Sequence, residues 1–198
     1  MARASWRFFC ISAILWIAIP SSHCQIADSI VSSLSTINDV NHKVDTLNKI
    51  GFDLIFTDPS EARSLFNEAI SLSEKTAYRE GHAKALKNKA ISYDIQGNSN
   101  EAIGYYHESL IILESLQDTL GISRLKNNLG IAYKNLDDIE TARKFYEESV
   151  DLKKSLGDIK GMAYGYNNIG ELYEAQGAFT KALDFFTRAN VTLDSLGD

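Results

Sequence analysis

Residues 121–160 read GISRLKNNLG IAYKNLDDIE TARKFYEESV DLKKSLGDIK, and this block decides the fold. Ile122, Leu125, Leu129, Ala132 and Tyr133 recur at helical spacing between Ile122 and Asn135. Leu136-Asp137-Asp138 then breaks the pattern as a turn. A second helix is predicted from Ile139 to Ser155, with Ala142, Phe145, Tyr146, Ser149, Val150 and Leu152 on its inner side. Leu156-Gly157-Asp158 closes the block. Gly157 suits the left-handed residue that ends a helix, and Asp158 suits the cap of the next one.

The same block recurs every forty residues, without gaps, from residue 41 onward. Ala62, Ala102, Ala142 and Ala182 share one column, and Phe66, Tyr106, Tyr146 and Phe186 share the next apolar one. Ala69, Ser109, Ser149 and Ala189 make a third column, all small. In the first helix of each block, Tyr93, Tyr133 and Tyr173 align, as do Ala90, Gly130 and Gly170. A fixed period of this length is the mark of a stacked array. The small columns allow two helices to cross at close range, and the aromatic columns are expected to fill the space between one unit and the next. One helix pair has too little core to stand alone, so stability comes from stacking. The expected fold is therefore all-α, a solenoid of antiparallel helix pairs. Asp58-Pro59-Ser60-Glu61 opens the second helix of the first block, as a cap, a proline at the first helical position and a carboxylate reaching back.

Outside the array, the N-terminus reads as an address. Arg3 and Arg7 precede an apolar run from Phe8 to Ile19, and Pro20-Ser21-Ser22 ends it. This is the three-part pattern of a secretory signal peptide, too short to span a membrane comfortably. Residues 1–24 are expected to be removed, and the protein to be exported to a periplasmic or extracellular location. The rival reading is acylation of Cys24, although His23 before it is a poor fit. Removal of 1–24 takes Lys plus Arg from 20 to 18, leaves Asp plus Glu at 26, and gives a net charge of −8. It also removes Cys10 and Cys24, so no thiol chemistry would remain. Residues 25–40 carry Ile26, Ile30, Leu34 and Ile37 at helical spacing and are read either as a linker or as an N-terminal capping helix.

The columns resemble the tetratricopeptide repeat (TPR). Asn128-Leu129-Gly130-x-x-Tyr133 and Ala142-x-x-x-Tyr146 carry the likeness, which extends over about 155 residues in a long, forty-residue variant. The units at 81–120, 121–160 and 161–198 match well. The unit at 41–80 is a degenerate repeat with Asp53 where the tyrosine belongs. An exported array with a weak first repeat is similar to the sensory N-terminal region of bacterial membrane proteins. In those a transmembrane helix and a histidine kinase, cyclase or DNA-binding output domain follow. Earlier blocks hand over to another helix at the point where residue 198 falls, and Tyr173, Phe186 and Leu193 lack evident cover. The array is therefore expected to be truncated. The alternative is a small stand-alone exported scaffold that self-associates through its open end.

No phosphate loop, nucleophile elbow or paired histidines on one helix face occur, so neither catalytic residues nor cofactor nor metal site is assigned. His42 and His82 share a repeat column, which favours a structural origin. The acidic balance argues against nucleic acid as a partner of this segment. Membrane contact is expected only through lipidation or a transmembrane segment beyond residue 198. Asn190-Val191-Thr192 is a glycosylation sequon on a predicted helix.

Binding is the better-supported chemistry. First helices line the concave side of such arrays. Lys84, Lys87, Asn88, Arg124, Asn127, Asn128, Tyr164, Asn167, Asn168 and Glu171 are predicted to face the groove. Asn88, Asn128 and Asn168 stand one unit apart. Each amide offers an acceptor and two donors, as a peptide backbone requires. Such a column is similar to the asparagine ladders of TPR proteins such as kinesin light chain. The other reading is that these asparagines bond neighbouring helices. Lys84, Lys87 and Arg124 make one end basic, and Glu171 and Glu174 make the other acidic. The expected partner is a protein or extended peptide with an acidic end toward Lys84, a second copy of the chain being the other candidate. The likeness to chaperone-binding carboxylate clamps is loose, because the lysine and asparagine spacing differs.

Overall fold

The computed structural model describes residues 29, 31, 32, 34 and 38–194. The signal-peptide reading of residues 1–24 lies outside the described residues. Among the described residues, eight long helices follow one another: α1 (Val40–Leu54), α2 (Pro59–Thr76), α3 (Arg79–Asp94), α4 (Ser99–Ser115), α5 (Thr119–Asn135), α6 (Ile139–Ser155), α7 (Ile159–Ala175) and α8 (Phe179–Asp194). They pair as α1–α2, α3–α4, α5–α6 and α7–α8, and each pair packs on the next. The array is a TPR-type solenoid.

Local chemistry sets the helix limits. Asp118, Asp138 and Asp158 each accept from the backbone N–H three residues on, at 2.9 to 3.1 Å. Asp58 does the same for Glu61 at 3.0 Å, with Pro59 at the first helical position. Each such cap contributes about 1 kcal/mol. The cap at Asp118 starts α5 at Thr119, three residues earlier than apolar spacing alone suggests. Left-handed residues mark the stops at Ala77, Gly97, Gln117, Asp137, Gly157 and Gly177, one every twenty residues.

The first turn is the exception. There the Asp58 N–H donates to the Leu54 carbonyl, four residues back, whereas Asn98, Asp138 and Ala178 donate to Tyr93, Tyr133 and Tyr173, five residues back. The hydrogen-bonded turn between α1 and α2 therefore spans one residue fewer, and it has no left-handed residue. Thr57 stands where Gly97, Asp137 and Gly177 stand in the other units, and a β-branched residue disfavours that conformation. Every position of α1 is consequently displaced by one. Gly51, not Ile50, takes the place of Gly130. A Cβ there would lie 2.6 Å from the Phe66 ring, as one on Gly130 would lie 2.5 Å from Tyr146 and one on Gly170 2.5 Å from Phe186. The tyrosine position of the first unit is thus Leu54, which shares an apolar cluster with Leu65. The gap-free alignment that put Asp53 there is corrected by this displacement.

The core is built from small-against-large contacts. Ala62, Ala102, Ala142 and Ala182 are all buried. The aromatic column works first inside its own unit, since the Tyr146 ring fills the notch left by Gly130. It also reaches the next unit through the cluster with Ile169 and Leu172. Tyr93 stacks on Tyr105, Tyr133 on Phe145 and Tyr173 on Phe185, with ring centres 5.5 to 5.6 Å apart. Tyr173 therefore has cover after all, and Lys181 lies 5.3 Å from its ring centre. Phe186 is half-buried, and Leu193 is exposed. In the small column, Ser109 Oγ donates to the Ala83 carbonyl at 2.8 Å and Ser149 Oγ to the Ser123 carbonyl at 2.7 Å. At the other end, Leu34 is buried and Val31 half-buried against α1 and α2.

Candidate peptide groove

Helices α1, α3, α5 and α7 present one line of side chains at corresponding positions. Lys84, Arg124 and Tyr164 stand in one column, all exposed, with Tyr164 at 67%. Lys87, Asn127 and Asn167 stand in the next, all half-buried. Two adjacent helices thus bring three cations together. Among the described residues no ion pair fixes Lys87 or Arg124, and Lys84 has only a long contact with Asp45, 3.9 Å. Burial lowers the pKa of the Lys87 ammonium, and the charges of Lys84 and Arg124 lower it further, against a smaller opposing pull from Asp118. Repulsion among like charges is relieved by an anion, so the cluster favours one.

Two clefts flank these cations. The larger, of about 600 Å³, lies between α1 and α3 and is lined in part by Asp45, Asn48, Phe52, Lys84, Lys87 and Asn88. The smaller, of about 260 Å³, lies between α3 and α5 and includes Lys84, Lys87, Ser109, Asp118 and Arg124. Lys84 and Lys87 belong to both walls. The contribution of Asp45, Asn48 and Phe52 was not foreseen from sequence. The displacement of α1 explains why: forty-residue spacing points to Val44 in the Lys84 column, and Val44 is fully buried. Ile50-Gly51-x-x-Leu54, one residue late against Leu129-Gly130-x-x-Tyr133, is the signal that would have found them.

The asparagine column is not uniform. Asn88 is only 2% exposed, on the lining of the larger cleft. Asn128 and Asn168 are half-buried, and Asn168 Nδ2 donates to Asn127 Oδ1 at 2.9 Å. That contact ties α7 to α5 and uses one donor of the ladder, while leaving its other donor and acceptor positions. At the far end, Glu171 Oε2 accepts from Lys134 Nζ at 2.8 Å, and Glu174 is exposed. The charge of Glu171 is thus partly matched across the groove, whereas among the described residues the Lys84, Lys87 and Arg124 group has only the 3.9 Å contact of Lys84 with Asp45.

Other polar side chains offer less. His82 Nε2 lies 3.9 Å from Glu74, and His42 is an exposed part of the larger cleft. Among the described residues no group of three His, Cys, Asp or Glu side chains is placed to hold a metal ion. No described helix is long and apolar enough to cross a membrane. Asn190 is exposed but lies within α8.

Residues 121–189 match the tetratricopeptide repeat family model. Among solved structures, the chain is similar to BtubC (BKLC) from P. vanneervenii, with 19% identity and a TM-score of 0.75 over 89% of this chain and 75% of that one. It is also similar to aspartyl phosphate phosphatase F from Bacillus subtilis, at 14% identity and TM-score 0.78, over 88% of this chain and 46% of that one. A Rap protein in complex with Competence and Sporulation Factor matches at 13% identity and TM-score 0.76, over 89% of this chain and 50% of that one. The chain spans about half the length of the latter two. At these identities the likeness establishes the fold. Among curated protein sequences none matches.

Proposed function

We propose that this tetratricopeptide-repeat chain is a protein-interaction module that binds an extended peptide along its concave face, with an acidic element of the peptide over Lys84, Lys87 and Arg124. The convergence of those three cations from α3 and α5, in a chain of net charge −6, is the observation that carries the reading. Side-chain amides at 88, 127, 128, 167 and 168 offer backbone partners without reading sequence. The Rap protein whose structure was solved with Competence and Sporulation Factor shows that a similar solenoid can carry a bound factor. The finer reading is that the chain is exported and serves as the sensory or scaffolding part of a longer bacterial signalling protein, and the pattern of residues 1–24 supports the export step.

The test is the double variant Lys84→Glu plus Arg124→Glu against fluorescein-labelled peptides of equal length, one rich in Asp and Glu and one rich in Lys. The wild type should prefer the acidic peptide, and the variant should lose at least tenfold in affinity for it. Unchanged affinity would make the charge assignment wrong. For export, residues 1–40 fused to a reporter active only outside the cytoplasm should give signal, and a silent fusion would remove that part of the reading.

One observation favours a second reading. Helix α8 leaves Phe179 69% and Leu183 66% exposed. Self-association through these side chains would make the chain a scaffold. Sedimentation should then show concentration-dependent oligomers that Leu183→Glu abolishes.

A further inference from the structure

Helix α6 shows how one unit receives the next. Tyr146 and Val150 of α6 share an apolar cluster with Ile169 and Leu172 of α7. A Cβ on Gly165 would lie 2.3 Å from Val150 Cγ2, and one on Gly161 2.9 Å from Lys153 Cδ. The face of α7 laid on α6 is therefore nearly bare where the two helices cross. Phe186, Asn190 and Leu193 stand at the corresponding positions of α8, and Leu183 and Phe179 continue the row. Among the described residues no further helix lies on them. Phe179, Leu183, Asn190 and Leu193 are exposed, and Phe186 is half-buried.

One letter in this row departs from the other units. Leu110 and Val150 are buried and apolar, Ile70 is half-buried, and the fourth member of the column is Asn190. A first-type helix laid on α8 as α7 lies on α6 would press its backbone onto that amide. Backbone groups inside a helix are already paired with each other, so the amide would be desolvated without a partner. The α1 end of another copy fits no better. With the one-residue displacement, His42, Thr46, Ile50 and Asp53 stand where α7 has Gly161, Gly165, Ile169 and Leu172. Two of them carry bulk where the crossing needs glycine, and the row ends in a carboxylate.

The row does fit itself. Phe179, Leu183, Phe186, Asn190 and Leu193 are spaced by four, three, four and three residues, the spacing that forms the seam between two helices lying side by side. In a parallel pair, equal positions of the two helices face each other. An asparagine amide carries both donor and acceptor, so two of them satisfy one another across such a seam, and a single asparagine there fixes register and pairing. Thr180, Thr187 and Asp194 flank the seam on one side, and Ala182 and Ala189 on the other. Each side faces the opposite side of the partner helix, so no like charges meet.

We propose that α8 is a dimerisation helix. Two copies of this chain join tail to tail, α8 beside α8 in parallel about a two-fold axis. The two Asn190 amides pair across the axis, with Leu183, Phe186 and Leu193 packed around them. The two-fold closes the contact, so the assembly stops at two. The inference rests on the self-association reading above and adds its face, orientation and stoichiometry.

The test uses the full chain with its two cysteines replaced, Cys10→Ser and Cys24→Ser, in a concentration series by sedimentation velocity. The unaltered seam should give a monomer–dimer equilibrium and nothing larger. Asn190→Asp sets two carboxylates on the axis and should weaken the dimer by about tenfold or more. Asn190→Leu removes the amide that limits the pairing, and should tighten association while admitting species larger than the dimer. Leu183→Cys and Asn190→Cys, each introduced alone, should both oxidise to disulfide-linked dimers. An antiparallel pair cannot cross-link at both positions, which lie about 10 Å apart along the helix. Both side chains are exposed in the single chain, so these variants keep its fold. Cross-linking at only one of the two cysteines would overturn the parallel seam. A strict dimer of unchanged strength in Asn190→Leu would overturn the amide pairing. If the dimer ignores Asn190→Asp, the copies meet elsewhere, and the α8 interface is refuted while self-association stands. A chain that stays monomeric throughout the series removes both.

Discussion

Gly130→Ala should destabilise the protein, although alanine is the better helix former. A Cβ at Gly130 would lie 2.5 Å from Cδ1 and Cε1 of Tyr146 and 3.0 Å from Cζ. Comfortable carbon–carbon separation is about 3.5–4.0 Å. The ring or the helix must therefore retreat by about 1 Å, and Tyr146 is fully buried with no open side to retreat into. Overpacking of this kind costs about 1–3 kcal/mol. Replacing a mid-helix glycine returns about 1 kcal/mol. The second unit sets a limit on the strain, because Ala90 already stands opposite Tyr106 there, so the crossing can be built one methyl wider. The net expectation is a loss of about 1–2 kcal/mol. With a urea slope of about 2 kcal/mol per molar, the midpoint should fall by roughly 0.5–1 M. Far-UV circular dichroism is the suitable probe, since the only tryptophans are Trp6 and Trp16. Gly104→Ala is the matched control. No heavy atom lies within 4 Å of a Cβ there, so that variant should gain up to about 1 kcal/mol. A Gly130→Ala midpoint at or above wild type, beside a Gly104→Ala gain, would refute the close-crossing argument.

Three other outcomes follow from the same contacts. Asp158→Ala removes the acceptor for the Gly161 N–H and should cost about 1 kcal/mol, read as a lower melting temperature that Asp158→Asn largely restores. Tyr146→Phe deletes a buried hydroxyl that has no hydrogen-bond partner among the described residues, so stability in urea should hold or rise by up to about 1 kcal/mol, and a loss above 2 kcal/mol would show that the hydroxyl is satisfied. The third concerns pH. Burial and its cationic neighbours lower the Lys87 pKa, so Lys87 loses its proton below the usual lysine range of about 10.4. The charged form is the one the fold disfavours, so its cost is present below the lowered pKa and fades as pH rises toward the unfolded value. A bound carboxylate favours that same charged form, so acidic-peptide affinity should fall as pH rises through the lowered pKa, and Lys87→Met should remove this dependence.

Much of the architecture was legible because it is local. The caps at Asp118 and Asp158 and the stop at Gly157 depend on residues within one turn of themselves. The small columns made a close helix crossing legible, but not that Tyr146 fills the Gly130 notch inside its own unit, since spacing alone puts the aromatic column between units. The displacement of α1 was not, since it hangs on the single conformation that Thr57 disfavours. The site divides in the same way. Periodicity placed Lys84, Arg124 and Tyr164 in one exposed column. It could not reveal that Asn88 is buried while Asn128 is only half-buried, because the difference comes from neighbouring helices. Nor could it pair Glu171 with Lys134, which lie 37 residues apart on different helices.

The shortened first turn carries a lesson about where such a molecule can change. Two different connections, one with a left-handed residue and one without, deliver the same glycine-to-ring crossing. The loop does not dictate how the helices dock; the side chains at the crossing do. Length is therefore negotiable at these corners. A codon lost or gained there leaves each helix with its own internal spacing intact, and the crossing keeps the same face of the helix toward the groove. The corners between paired helices are thus places where natural variation, or a grafted segment, can change the length of the chain while both the interior and the groove face stay as they are.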